Sequence, residues 1–529
     1  MAGVAGGAVG TFVWRARCAE ACGLAEGWHG RAGAARALWA ERPFRRRAHG
    51  EMDALRSAGK CVFLPPQKRS LHPLYAPLSP ASILRLDLSY RQIWKISAPI
   101  MLGSAAQNVI ALSDAVLLYH LGDVEFAAIG FVGVFYITVA AIGFSFSRGG
   151  QIMIARRMGE GRPEAVGHTF HTMLLFELAL AVLMWAFMRF GSPWFFSLFL
   201  EHSPAVYEQS LKYIEQRAFG IFFSYAGVAL ISLYTGIARP GIILAVTVLL
   251  AVVNLGLNYC LIFGEFGLPR MGIGGSGLAS SIAEGVAFVA FAGYMVYDRK
   301  NRPLRIFTVP ELDWPMMLQQ LRIALPVVAQ AAVGQGSWVF FFGMVENLGE
   351  RSLAISNLAR TVYLLLSIPL WGFSSGVNTL ISNLIGQARH HEVLPAAWKT
   401  GKLCWLVSML LAVPILLFPG KVLYPLLGKS DMSLIGETQP IFYLMLGLLS
   451  LSTFGAVLMN ALSGTGATWF GLKLQALCIG VYLGYLYYIT NFTTLGLAWV
   501  WAAELLYWLL MIVLAVAYLR SERWHAMRF

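Results

Sequence analysis

Charge is what this sequence has least of. Among its 529 residues only 13% are Asp, Glu, Lys or Arg, where a soluble globular chain carries roughly 25%. With 57% hydrophobic residues, that scarcity excludes an ordinary soluble domain and points to an integral membrane protein with many spans. Other absences narrow the function. No G-x-x-x-x-G-K-[ST] loop occurs, so the chain has no ATP phosphate cradle of its own. No H-E-x-x-H and no paired-carboxylate signature stands out, which leaves little for an enzyme reading. Cysteine is sparse: Cys18, Cys22 and Cys61 lie in the N-terminal tail, and Cys260, Cys404 and Cys478 in apolar stretches. Cys18 and Cys22 have only His29 near them, short of the four ligands of tetrahedral zinc, so no metal or disulfide framework is expected. "GIGGSG" (272–277) fits G-x-G-x-x-G, but apolar spans flank it where a dinucleotide loop needs a strand and a helix. Its glycines are read as a short external turn that packs closely on the next span.

The 40 Lys and Arg outnumber the 27 Asp and Glu. In a membrane chain such an excess holds cytoplasmic loops in place, and no nucleic-acid motif accompanies it. Residues 1–80 are rich in Ala, Gly, Arg and then Pro, as in "RAGAARALWAERPFRRRAHG" (31–50). No charged start precedes an apolar core there, so no secretory signal is read. The segment is expected to be disordered; a transit peptide, or translation beginning at Met52, are its alternatives.

From Arg91 onward long apolar runs alternate with short polar breaks. They give twelve spans, near 92–118, 127–155, 169–190, 211–236, 241–263, 276–297, 317–345, 353–385, 398–418, 439–463, 468–490 and 494–518. Each reaches the roughly 20 residues needed to cross hydrocarbon, and lipid leaves helix as the sensible conformation. Basic residues follow the even spans: Arg156, Arg157 and Arg162; Arg299, Lys300, Arg302 and Arg305; Arg389, Lys399 and Lys402; Arg520, Arg523 and Arg528. These exits are therefore expected in the cytoplasm, with both termini inside.

The two halves repeat. "ISAPIMLGSAAQNVIALSDAVLLYHLG" (96–122) aligns without a gap to "IALPVVAQAAVGQGSWVFFFGMVENLG" (323–349). Pro99 meets Pro326, and Gly122 meets Gly349. "GFS" recurs at 143–145 and 372–374, and "GLA" at 277–279 and 496–498. A shift of six spans preserves orientation, so the repeats are parallel, as in transporters whose lobes rock about a central site. The fold expected is an all-α membrane protein, with twelve transmembrane helices in two parallel six-helix repeats forming two lobes around a central cavity. The N-lobe is read over 81–305 and the C-lobe over 306–529.

Asp114 sits inside the first span, where a charge costs at least roughly 2.5–3.5 kcal/mol. It must face water or a partner, as a functional group or as a protonated interhelical hydrogen bond. Gln107, one heptad earlier, shares its face, and Asn108 is close. In span five Asn254 and Asn258 are four apart and also share a face. Two carboxamides aimed one way can hold a cation or a carboxylate; simple interhelical hydrogen bonding is the alternative. Glu177, Glu284 and Glu504 are embedded as well. Glu284 and Glu504 follow the matching "GLA" of each half at nearly equal distance, which suggests a structural role or a place near the inner end; Glu177 has His168 and His171 as nearby partners. Trp338, Phe340, Phe341, Phe342, Tyr363 and Trp371 supply ring faces for organic cations, or simply pack.

Several motifs together make the chain from about 90 to 520 resemble the multidrug and toxic compound extrusion (MATE) transporters. They are "APIMLGSAAQNVIALSDAVLLYHLG" (98–122), "GQIMIARRMGEGR" (150–162), "TGIARPG" (235–241), "NLGLNYCLIFGEFGLPRMGIGGSGLAS" (254–280) and "LSGTGAT" (462–468). The resemblance implies export of organic, often cationic, compounds in exchange for H⁺ or Na⁺, with no other cofactor. It implies ion coupling at Asp114, Asn254, Asn258 and Ser280, with Na⁺, if used, at the first three. Gln107, Asn108, Gln330 and Gln335 are the expected substrate-cavity residues. Many members carry a glutamate in span seven and some an aspartate in span ten; here Gly334, Gln335 and Ser452 stand near those places. Coupling is therefore expected in the N-lobe alone.

A charged Asp114 is relieved by a proton or by a shared cation, and either event favours one lobe packing over another to the extent of its differential affinity. The expected partners are a small organic substrate, the coupling cation and the bilayer, with no nucleic acid, for a monomer in the cell membrane. The alternative is a lipid-linked saccharide flippase of the same superfamily, which needs basic groups at mid-depth; Arg148 and Arg360 are its nearest candidates, both read near span ends.

Overall fold

The computed structural model describes residues 86–308, 313–419, 432–521 and 523–526. The chain divides into two units, Met1–Ala76 and Pro77–Phe529, and everything described lies in the second. The expectations for residues 1–80 fall outside the described residues.

The described chain is helical, without strands. Span one is α1 (Tyr90–Tyr119) and span two α2 (Asp123–Gly159). Span three is α3 (Glu164–Ala186), continued through a π-helical turn (Phe187–Gly191) into α4 (Ser192–Ser197). Span four is α5 (Pro204–Arg217) with α6 (Gly220–Gly236), span five α7 (Gly241–Phe263) and span six α8 (Ile273–Tyr297). Span seven is α9 (Trp314–Glu346), and span eight α10 (Glu350–Leu366) with α11 (Ile368–Gly386). The last four are α12 (Val393–Leu417), α13 (Met432–Gly464), α14 (Thr468–Phe492) and α15 (Leu497–Arg520).

Twelve spans result, ten by themselves and two from bent pairs. The bends refine the sequence reading, which drew spans four and eight as single runs. Span four turns by 55° between α5 and α6, and span eight by 44° between α10 and α11. Pro369 stands in the first turn of α11, where a missing N–H and a rigid ring break continuity with the helix before it. Spans one and seven both start on a capping side chain, with Ser89 accepting from Gln92 N and Asp313 from Met316 N. Such caps satisfy N–H groups that the helix leaves free.

The repeat is visible in the packing. In the N-lobe span one lies on span five, span two on span four, and spans four and five on span six. The C-lobe does the same six spans later: seven on eleven, eight on ten, and ten and eleven on twelve. Between the lobes, span one meets span eight and span two meets span seven, a reciprocal pair, and spans two and eight also touch.

Among the described residues the lobes meet at one end. There Gly149 abuts Ala324, Gly159 and Gly386 meet the opposing backbones at Asn383 and Arg156, and Gly372 and Gly376 face Met101 and Ser97. Gln151 donates to the Ser375 carbonyl and to Thr379, and Asn383 donates to the Ala155 carbonyl at 3.2 Å. On α2 the stripe Val134, Ile137, Ala141, Arg148, Ala155 and Gly159 forms one face by helical spacing. Its lower residues are shut against the other lobe, whereas Val134 and Ile137 are exposed. Span eight behaves alike: Asn357, Thr361, Leu364 and Trp371 are exposed, and every residue from Gly372 to Leu384 is buried. The face that seals the lobes at one end is thus open at the other, which makes the central cavity.

Candidate functional site

Four residues singled out in the sequence form one hydrogen-bonded chain. Asn258 Nδ2 donates to Asp114 Oδ1 at 2.5 Å and lies 3.1 Å from Asn254 Oδ1. Asn254 Nδ2 donates to Ser280 Oγ at 3.0 Å. The chain runs from α1 across α7 to α8. It exists because Asn254 and Asn258, four apart, look the same way between α1 and α8. Both carboxamides are buried. Asn258 Oδ1 is buried without a protein partner, so the site keeps one acceptor oxygen in reserve. A carboxylate, two amide oxygens and a hydroxyl are an oxygen-rich donor set suited to a proton or a hard cation. Elsewhere no cluster of His, Cys, Asp and Glu capable of holding a metal occurs among the described residues.

The sequence reading missed Arg217, at the bend of span four. Its guanidinium grips Glu284 of α8 with two hydrogen bonds, Nη1 to Oε2 at 2.8 Å and Nη2 to Oε1 at 2.5 Å. It stacks 3.8 Å above the Tyr136 ring and acts electrostatically on Asp114. The signal was weak: Arg217 closes the polar stretch "EQSLKYIEQR" (208–217) just before an apolar run, so it reads as an ordinary span flank, although a matching acid in span six was already noted. Glu284 thus has Arg217 as its partner and lies mid-helix, away from the inner end of α8. Glu504 is buried in the C-lobe. Glu177 pairs with neither histidine. It accepts from Ser147 Oγ at 2.6 Å, whereas His168 meets Asp313 and His171 meets the Ile306 carbonyl, because the inter-lobe linker lies against the start of α3.

The four expected cavity residues separate. Asn108 lies on the face of α1 that carries Ser97 and Met101, eleven and seven residues before it. Those two touch span eight, so Asn108, exposed above them, borders the opening; its Nδ2 bonds back to the Ser104 carbonyl. Gln107 and Gln335 are exposed. Gln330 is held inside the C-lobe, with Nε2 on the Thr468 carbonyl at 3.1 Å and its own carbonyl accepting from Gln475. Among the aromatics, Phe341 is fully buried against Trp501, so it packs; Phe340 and Trp371 are exposed. Arg148 and Arg360 are deeper than expected, each about three turns inside its helix.

The MatE family model matches the chain twice, over residues 99–260 and 326–487. The two matches are offset by the same interval that aligns Pro99 with Pro326. The chain belongs to the MatE family. It is a multi-pass membrane transporter, and the family is one of transporters, not enzymes. A MatE relative named as a probable multidrug resistance protein NorM from Agrobacterium fabrum is 27% identical over 57% of this chain and 65% of its own length. Another of that name from Aromatoleum aromaticum is 23% identical over 77% of this chain and 86% of its own. The first match thus spans just under two thirds of that relative. Among solved structures, an outward-facing conformation of a multidrug resistance MATE family transporter of the MOP superfamily matches with TM-score 0.74 and 20% identity, over 82% of this chain and 95% of that one. This likeness is one of fold. MatE membership also disposes of "GFSSG" (372–376), which formally fits the nucleophile pattern G-x-S-x-G. That pattern needs a strand-to-helix turn, and here it lies within α11.

Proposed function

We propose that this protein is a secondary active antiporter that exports organic compounds in exchange for H⁺ or Na⁺, with coupling at Asp114. The observation that carries the reading is the unbroken chain Asp114–Asn258–Asn254–Ser280. A carboxylate held at this depth by a neutral carboxamide gains from a proton or a cation. Asn258 Oδ1 is free to turn toward either. Because α1 belongs to the inter-lobe contact with span eight, a ligand at Asp114 can favour one lobe packing over another by its differential affinity. The names of the two relatives support drug-like substrates and lend none to the saccharide flippase. The reading places a monomer in the cell membrane. The closed end, where the basic exits of the even spans gather, then faces the cytoplasm with both termini.

The test uses inverted vesicles containing the protein or Asp114→Asn. Uptake of a cationic dye is recorded under an imposed pH gradient and then a Na⁺ gradient. Uptake driven by one gradient and lost in the variant supports the reading and names the ion. Full gradient-driven uptake by Asp114→Asn removes Asp114 from coupling, and no uptake in either gradient overturns antiport of such compounds.

A further inference from the structure

The floor of the inter-lobe opening is basic. Arg148 lies on the α2 stripe between Ile137, which is exposed, and Ala155, which is buried against the other lobe. It therefore stands where the opening ends and the seal begins, next to Gly149 and its contact with Ala324. Its Nη1 donates to Asn460 Oδ1 of α13 at 3.1 Å, a bond between lobes. Its Cζ lies 5.7 Å from the Phe144 ring, itself exposed. No carboxylate among the described residues pairs with it.

Other embedded arginines are held in several ways: Arg360 lies over the Trp338 and Phe342 rings, Arg156 donates to the Thr465 carbonyl, and others meet acids. Arg217, just as embedded, has a two-pronged partner in Glu284. Arg389 is matched by Glu392, and Arg239 by Asp298. These three guanidinia are met by acids, whereas the fork of Arg148 is met by one neutral amide oxygen. Arg148 is only partly exposed, and its neutral partner matches its geometry without matching its charge. A positive group at this depth calls for a counter-charge, and most of its five N–H donors remain for one.

We infer that Arg148 docks an oxyanion of the substrate, a carboxylate or a like acid, so that the exported molecules are acidic or amphoteric organic compounds. The inference deepens the export reading above and rests on it. The planar fork accepts a carboxylate in two parallel hydrogen bonds. Phe144 and the apolar stripe above it meet the rest of the molecule. Asn460 is a positioning residue that aims the fork upward.

The experiment uses two xanthene dyes that differ in one group, a free carboxylate and its methyl ester. Binding to the purified protein is read by fluorescence polarisation, and uptake is read in inverted vesicles. The wild type is expected to favour the carboxylate, and in Arg148→Gln that preference shrinks about tenfold. Arg148→Lys, which keeps the charge and loses the fork, retains part of it and carries the test should the glutamine variant not fold. Equal affinity of the wild type for the two dyes overturns the inference. So does a parallel loss of both dyes in the variants, which makes Arg148 an inter-lobe latch. A binding preference that depends on Arg148, without gradient-driven uptake of either dye, overturns the antiport reading and leaves the anion site standing.

Discussion

Arg217 and Glu284 face each other as fork to fork beneath the bend of span four, with both oxygens of the glutamate engaged, Arg217 buried and Glu284 partly so. Gly220 makes this possible, since a Cβ there would run into Arg217 Nη1 and Glu284 Oε2. Removing one partner strands the other charge in a dry site, a loss of about 3–5 kcal/mol. Glu284→Gln should therefore melt well below the wild type in detergent. Exchanging both residues for apolar ones of similar volume should recover most of the loss. Equal melting of Glu284→Gln and wild type would show that the pair does not hold the bend.

The hydrogen-bonded chain predicts an order of damage. Asn258 touches both Asp114 and Asn254, so Asn258→Ala breaks the chain in the middle and should lower gradient-driven uptake by tenfold or more. Ser280→Ala removes only the terminal acceptor of Asn254 and should cost less than threefold. Initial uptake rates at matched protein levels decide it, and the reverse order would contradict coupling through this chain.

Close backbone approach at the sealed end gives a third expectation. A Cβ at Gly386 would collide with the Arg156 carbonyl and Gly159, whereas one at Gly256 in α7 meets nothing within 4 Å. Gly386→Val should prop the lobes apart, and Gly256→Val should not. A cysteine placed at Ser375, buried at this seam, would report the difference as faster labelling by a water-soluble maleimide in the first variant.

Asp313 offers a pH test outside the spans. Hydrogen bonds from His168 and from Met316 N hold its carboxyl below the ordinary carboxylate range. A group with a lowered folded-state value contributes its stabilisation above the unfolded value near 4 and loses it as the pH falls through the folded one. Asp313→Ala, which also removes the cap of α9, should cost about 1 kcal/mol near neutral pH. That difference should shrink as the medium is acidified below pH 4. A melting-temperature gap that stays constant down to pH 3 would rule out the ionised cap.

Hydropathy alone fixed the twelve spans and their helical nature, because a backbone in lipid has no other way to satisfy its hydrogen bonds. Internal similarity fixed the repeat, and the anomalous cost of Asp114 marked the candidate site. Spacing put Asn254 and Asn258 on one face, since helical period is a local property. None of these readings needed a distance between spans. The pairing of Arg217 with Glu284, the capture of Gln330 by Thr468 and the separation of Glu177 from its neighbouring histidines did need one. So did the place of Arg148, which local sequence put near a span end and packing put at the floor of the opening. Which residue of one helix meets which residue of another depends on tilt, bend and rotation about each axis. Those are set by all the neighbours at once, so only the assembled bundle decided them.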